Sequence, residues 1–179
     1  PGQDDALAMM TAFGAKKDLN VLGVTCVAGN VPLNLTSVNA LKICELSGFS
    51  NVPVFRGSPA PLKRKLITAE HVHGKTGLDG TDLSVKKKGL EPTDAVDFII
   101  ECTEKYRDEK ITICALGPLT NVAKVLKKDA VLIESIEEIV LMGGGFFEGG
   151  NITPAEEFNI YVDPEAAKIV LESGLKITM

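Results

Sequence analysis

Short runs of β-branched and other apolar residues alternate along the chain with longer segments in which apolar residues recur every three or four positions. The short runs predict strands at residues 21–28, 52–55, 111–116, 139–142 and 176–179. The longer segments predict helices at residues 4–13, 33–46, 94–106, 120–126 and 164–171. This alternation predicts an α/β fold, with an open, mostly parallel, Rossmann-like sheet and helices on both faces.

Two of the predicted strands, 21–28 and 111–116, are nearly continuous apolar runs, which is typical of strands covered on both faces. Two segments do not follow the alternation. Residues 56–89 are rich in glycine and lysine and carry both histidines, and residues 143–159 are rich in glycine, phenylalanine and acids. Long loops in compact α/β domains often carry function. The lysine run 86–88 is interpreted as a solvated surface turn.

The composition is that of a globular protein, with 179 residues, 45% of them hydrophobic and 24% charged. We therefore expect a single domain over residues 1–179. The net charge of −5 argues against nucleic acid as a partner, because phosphate binding needs a surplus of basic residues. No apolar run approaches the about 20 residues that span a bilayer, and no secretory signal is visible.

Cysteine usage and the chain ends add two expectations. The four cysteines lie in apolar runs without metal-ligand spacing, which predicts buried, reduced thiols and a cytoplasmic protein. The chain opens on a strand-to-helix loop with no strand before it, and it closes on a strand with nothing after it. We therefore expect a domain that is truncated at both ends.

Polar residues follow several predicted strands, at the sheet edge where open parallel sheets bind ligands. They lie in residues 1–5, at Gly29-Asn30, at Gly117-Pro118, and from Gly143 to Asn159. Carboxylates and carboxamides predominate, which suits a hard cation and hydroxyl-rich small molecules. Each element alone has a simpler interpretation: a helix start, a turn, a histidine pair in a loop, or solvated acids. Their common location favours a binding site.

Six segments, in this order, resemble the inosine–uridine-preferring nucleoside hydrolases: PGQDDA, VAGN, HVHGKTG, ALGPLTN, LMGGG and NITPAEEFNIYVDPEAA. The resemblance implies hydrolysis of the N-glycosidic bond of a ribonucleoside, giving ribose and a free base, as in nucleoside salvage. It also implies a Ca²⁺ ion that binds the nucleophilic water and the ribose 2′- and 3′-hydroxyls. The expected partner is a small-molecule ribonucleoside, and the full-length form is expected to be a homo-oligomer.

The resemblance also assigns roles to residues of this sequence. Asp5 and the backbone carbonyl of Leu116 match Ca²⁺ ligands. Asp4 matches a ribose-binding residue, Asn30 a residue near the ribose and the water, and His73 a histidine near the base. The remaining matches grip the ribose around its 5′- and 3′-hydroxyls: Met142, Asn151, Glu157 and Asn159. Phe146, Phe147 and Tyr161 are candidates for stacking on the base, and each is equally consistent with a residue of the hydrophobic core.

This sequence departs from the family in two places. The family's general base, the second Asp of an Asp-Thr-Asp motif, would lie immediately before Pro1, and a later His-Asp pair is absent. No catalytic residue is therefore named, and we expect weak calcium binding and little turnover from the chain as written. Two alternatives stay open: a nucleoside- or ribose-binding paralogue without catalysis, and a structural α/β domain that binds a protein partner. The functional interpretation requires the acidic opening, the triple glycine and the Glu-Phe-Asn loop to surround one pocket.

Overall fold

The computed structural model describes residues 1–80, 83–85, 89–128 and 130–179, with the backbone alone for 130–132. The lysine run 86–88 lies outside the described residues. The chain divides into two compact units. The first comprises Pro1–Pro59 and Thr68–Ala95, and the second comprises Ala60–Ile67 and Val96–Met179.

The first unit contains a three-stranded parallel sheet in the order β1-β2-β3, with Val24 paired to Val54 and Phe55 to Glu91. Its elements in chain order are α1 (Gln3–Gly14), β1 (Val24–Cys26), α2 (Leu33–Leu46), β2 (Val54–Arg56), α3 (Glu70–His73) and β3 (Glu91–Asp94).

The core of the first unit lies between α1, α2 and the sheet. Helical spacing puts Ala6, Met9 and Phe13 on one face of α1, and all three are buried. The ring of Phe13 stacks on that of Phe49 with centroids 4.8 Å apart. Leu78, from the loop after α3, is buried in the same core, so this glycine-rich loop is packed onto the unit.

The second unit contains a parallel sheet in the order β4-β5-β6. Its elements are α4 (Ala95–Lys105), whose first residue belongs to the first unit, β4 (Ile111–Ala115), α5 (Thr120–Lys128), a 3-10 helix (Ala130–Ser135), β5 (Ile136–Leu141), α6 (Phe158–Val162), α7 (Pro164–Leu171) and β6 (Ile177–Thr178).

One face of this second sheet carries a row of isoleucines, with Ile113 paired to Ile139 and Ile139 to Ile177. The row packs against buried residues of α5 and α7. Asp163, the N-cap of α7, is fully buried and accepts hydrogen bonds from Ala166 N, Thr120 Oγ1 and Leu62 N. A buried carboxylate with three donors ties α5, α7 and the segment Ala60–Ile67 together.

The predicted α/β class, with parallel sheets and helices on both sides, is confirmed. All five predicted helices and five predicted strands are present, and α2 and α7 have the predicted bounds. Four elements were not predicted: α3, β3, the 3-10 helix and α6. In the described part of the chain, no helix is both long enough and apolar enough to cross a membrane.

Strand β4 differs from its prediction, because its exposure alternates along the strand. Thr112 and Cys114 are exposed, whereas Ile111, Ile113 and Ala115 are partly buried. The expectation that both faces of 111–116 are covered is therefore wrong: one face of the strand packs on the core, and the other reaches solvent. For the same reason Cys114 is exposed, while Cys26, Cys44 and Cys102 are buried as predicted.

Candidate functional site

In the first unit, the candidate residues gather where α1 begins. The backbone N–H of Gly2 donates to Asp5 Oδ2 at 2.8 Å, so the Asp5 carboxylate caps the helix that carries it. Asn30, which follows β1, donates from Nδ2 to the same oxygen at 3.0 Å. The predicted proximity of Asp5 and Asn30 is therefore present. Asp4, the next residue back in α1, is exposed.

The environment of Asp5 makes its ionised form less favourable than it is in water. Burial raises the pKa of this carboxyl, and the Gly2 hydrogen bond opposes the rise. A partly buried carboxylate with this bias gains from a nearby positive charge, because a cation offsets the cost of burying the ionised form. The Asp5 carboxylate is thus electrostatically suited to bind a cation.

His73 lies beside the same turn. It is the last residue of the short helix α3, and its ring is so close to Gly2 that a Cβ atom there would lie 2.6 Å from His73 Nδ1. Only glycine fits at that position without displacing the imidazole. The backbone N–H of Ala69, just before α3, donates to Asn30 O at 2.9 Å. His73 is therefore held near Asp5 and Asn30, whereas its neighbour His71 is exposed.

In the second unit, Glu157 organises the loops around it. It is buried, and its carboxylate accepts the N–H groups of Asn159 at 3.0 Å, Ile160 at 3.3 Å and Gly144 at 3.0 Å. Two of these donors belong to the first turn of α6, so Glu157 is the N-cap of that helix. The third donor fixes the triple-glycine turn after β5.

Asn159 links the ends of two strands. Its Nδ2 donates to Leu116 O at 3.0 Å and to Met142 O at 3.1 Å, just beyond β4 and β5. The side chain is buried, and both of its N–H groups are used. The Leu116 carbonyl, a predicted metal ligand, thus already accepts one hydrogen bond.

The other predicted residues of the second unit are more exposed. Asn151 Oδ1 accepts the Phe158 N–H at 2.8 Å, which closes the loop before α6. Met142 is 47% exposed. Phe146 and Phe147 form an edge-to-face pair, and they are 84% and 87% exposed. These two rings are therefore not core residues, whereas Tyr161 is partly buried.

The structure thus brings together two sets of predicted residues, one in each unit: Asp5, Asn30 and His73 in the first, and Leu116, Met142, Asn151, Glu157 and Asn159 in the second. That all of them surround one pocket stays a prediction. Within the residues described, no three His, Cys, Asp or Glu side chains cluster as a metal site would require. Sequence analysis missed Asn39, a buried amide that contacts the same turn as Asp5.

Comparison with known proteins gives one consistent result. A family model described as inosine-uridine preferring nucleoside hydrolase matches residues 1–179. The chain is 49% identical over 179 residues to an uncharacterized protein of Schizosaccharomyces pombe, covering 100% of this chain and 57% of that protein. It is 44% identical to the pyrimidine-specific ribonucleoside hydrolase RihB of Escherichia coli, covering 100% of this chain and 56% of that enzyme.

A solved structure agrees with these matches. The purine-preferring ribonucleoside hydrolase from Gardnerella vaginalis superposes with a TM-score of 0.94 at 34% identity, over 99% of this chain and 57% of that one. The chain therefore spans a little over half the length of the relatives it matches.

Proposed function

This chain belongs to the inosine-uridine preferring nucleoside hydrolase family, and from that premise we propose that the protein hydrolyses the N-glycosidic bond of ribonucleosides. Water adds to C1′ of the ribose, the bond from C1′ to the base nitrogen breaks, and ribose and the protonated base are released. Within the molecule, the observation that carries the proposal is the partly buried Asp5 carboxylate, held by Gly2 and Asn30.

The chemistry of the bond explains why such groups are needed. Cleavage gives the sugar oxocarbenium character, so positive charge develops on the ribose as the base departs. Fixed carboxylates and amide oxygens stabilise that charge more strongly in the transition state than in the ground state. The Asn30 amide donates a hydrogen bond to Asp5, which holds both side chains in place, so little reorganisation is required of them during the reaction.

The residues that we propose to contact the nucleoside lie in both units. Asp4, Asn30 and His73 belong to the first. Those in the second are Met142, Asn151, Glu157 and Asn159. Support differs among them: Asn30 and His73 lie next to Asp5, whereas the Glu157 oxygens already accept backbone N–H groups. We therefore expect Glu157 to act mainly by holding its loop in the binding conformation.

The proposed function also includes a Ca²⁺ ion. Oxygen donors such as the Asp5 carboxylate and the Leu116 carbonyl are of the kind that Ca²⁺ prefers. Their number falls short, because Ca²⁺ takes about six to eight oxygens and the described residues contain no acidic cluster. We therefore expect the 179-residue chain to bind Ca²⁺ weakly. Micromolar affinity in an isothermal titration would contradict this.

Base preference and assembly are also proposals. One relative is named pyrimidine-specific and another purine-preferring, so both substrate classes require testing. The exposed Phe146–Phe147 pair is available to stack on a base.

From the family resemblance we further propose a single domain, a cytoplasmic location and a homo-oligomer in the full-length form. Light scattering after size-exclusion chromatography measures the last of these.

Ribose release is the decisive measurement. The full-length protein is expressed, purified and incubated with inosine and, in parallel, with uridine, with and without a chelator, and free ribose is quantified. We expect ribose with at least one nucleoside and a lower rate in the presence of chelator. A folded protein that binds inosine and protects the amides of residues 151–159 without releasing ribose would be a binding paralogue. A protein that does neither would support a structural role.

A further inference from the structure

We propose that Asn39, in the middle of α2, is a positioning residue that fixes the loop carrying His73 against the turn carrying Asp5. The inference rests on the proposed function, since it concerns the placement of residues that would contact the nucleoside. Asn39 belongs to none of the residues assigned from the sequence, and it lies wholly within the first unit.

The hydrogen bonds of Asn39 join two distant segments of the chain. Its Nδ2 donates to Pro1 O at 3.2 Å and to Thr76 O at 2.7 Å. Only 1% of the residue is exposed. A primary amide has two N–H groups, and here each has a carbonyl acceptor. No other side-chain group of similar size supplies two donors at one atom while staying uncharged, so the position favours asparagine specifically.

The loop around Thr76 is built to approach Asn39 closely. Gly77 has a φ of +84°, and a Cβ atom there would lie 3.0 Å from Asn39 Nδ2 and 3.2 Å from Pro1 O. The glycine thus permits both the left-handed backbone and the close approach. Leu78 is buried in the core, and Asp79 accepts the N–H groups of Lys75 and Thr76 at 3.0 Å each. The loop is therefore anchored both by Asn39 and by its own contacts.

The other acceptor of Asn39 connects to the reactive groups. Pro1 precedes Gly2, whose N–H binds Asp5 and whose Cα faces the His73 ring. One amide group thus fixes the backbone just before the Asp5 turn and the backbone just after His73. Misplacing a catalytic or binding group by about 1 Å can cost on the order of 100-fold in rate. Loss of Asn39 is therefore expected to act through the position of His73 relative to Asp5.

A double-mutant cycle tests this. In the full-length protein, we compare Asn39→Ala, His73→Ala and the double variant with the unsubstituted parent. We measure kcat and KM for the preferred nucleoside and correct for the folded fraction. We expect Asn39→Ala to lower kcat/KM on the order of 10- to 100-fold. The double variant is expected to be little worse than His73→Ala alone, because without the His73 side chain Asn39 has no group left to position. Additive losses, or an unchanged kcat/KM, would overturn the proposal.

Ser37→Ala is the matched control, because Ser37 lies on the same helix, is fully buried, and donates to Leu33 O at 2.7 Å within α2. We expect its kcat/KM to stay within about two-fold of the parent. If Asn39→Ala does not fold, Asn39→Leu takes its place, since it nearly keeps the size of the side chain, removes both donors and introduces no buried charge.

A second readout separates this inference from the proposed activity. Amide hydrogen exchange at Lys75, Thr76 and Gly77 is measured in the parent, the Asn39 variant and the Ser37 control. We expect exchange to accelerate in the Asn39 variant alone. If the parent releases no ribose, the proposed function fails but the exchange result still decides the role of Asn39. Equal exchange in all three proteins would overturn the inference whatever the activity.

Discussion

Asp5 in the first unit and Glu157 in the second are both carboxylates at the start of a helix, yet their surroundings differ. Both oxygens of Glu157 accept hydrogen bonds, and the donors are backbone N–H groups of the helix that it caps and of the triple-glycine turn after β5. Asp5 accepts one backbone N–H and one side-chain amide, both at Oδ2, and burial raises its pKa. Backbone groups thus satisfy the charge of Glu157, whereas Asp5 gains from an external cation or a developing positive charge.

In the full-length protein, Asp5→Asn should reduce activity strongly, because the site loses its partly buried carboxylate. The amide keeps the shape and can still accept from Gly2 and Asn30, but it removes the negative charge. We expect kcat/KM for ribose release to fall by at least about 100-fold, the scale associated with losing one electrostatic stabiliser. Thermal unfolding should show a midpoint equal to or above that of the parent, because a buried charge is removed.

Asp18→Asn is the control for that experiment, since Asp18 is an exposed carboxylate of the same unit. Its activity and thermal midpoint should match those of the parent. A clear loss of stability in Asp5→Asn would show that Asp5, like Glu157, serves chiefly to hold the fold.

Glu157→Ala should have the opposite signature, with a loss of stability. It leaves the buried N–H group of Asn159 and the partly buried N–H groups of Ile160 and Gly144 without their acceptor. This loss is expected to cost roughly 2 kcal/mol in the free energy of unfolding. Glu157→Gln, which keeps one acceptor oxygen, should fall between the parent and alanine. Urea denaturation measures the free energies of unfolding and so ranks the variants. Glu156→Ala, at an exposed neighbouring position, is the control. Equal stability of all variants would contradict the role of Glu157 as a cap.

Asp79 is an exposed carboxylate that also accepts backbone N–H groups, and only a modest effect is expected from its titration. Hydrogen bonds from the Thr76 hydroxyl, and from backbone N–H groups of the loop, lower its pKa from the ordinary value of 3.8. Because the pKa of Asp79 is lower in the folded loop than its ordinary value, ionised Asp79 stabilises the loop at pH values above that ordinary pKa. This contribution is lost as the pH falls through the folded-state pKa. The Thr76 amide resonance, followed by NMR between pH 7 and acid, should shift with a midpoint below 3.8. A midpoint at or above 3.8, or the same transition in Asp79→Asn, would contradict this.

The long, strongly periodic elements could be predicted from the sequence, and the short ones could not. Helices α2 and α7 have the predicted bounds because their apolar spacing is regular and a proline or glycine marks each end. Strand β3 contains Pro92 and has an alternating exposure typical of an edge strand, so its local pattern does not predict a strand. Helix α6 has five residues and a glutamate as its N-cap, which lies outside the usual capping set.

Some residues of the candidate site could also be predicted from the sequence, and others could not. Asn30 follows strand β1, and Asp5 lies in the first turn of α1. The predicted topology puts both residues at the ligand-binding edge of a parallel sheet, and the hydrogen bond between them agrees with that expectation. Asn39 was missed because a polar residue inside a helix is normally solvated. A signal was nevertheless present: Asn39 lies three residues after Thr36 and four before Ile43, so it occupies a position on the buried stripe of α2. A polar residue at such a position indicates a buried hydrogen-bonding role.

The alternating exposure along β4 provides a site for chemical labelling. Cys114 reaches solvent while the other three cysteines are buried, so a maleimide fluorophore should attach at a single thiol without mutagenesis. Partial burial and the neighbouring Glu138 carboxylate raise the pKa of that thiol, and labelling should therefore be slow at neutral pH and accelerate in mild alkali. A dye attached there would report on the second unit alone, in the otherwise native polypeptide.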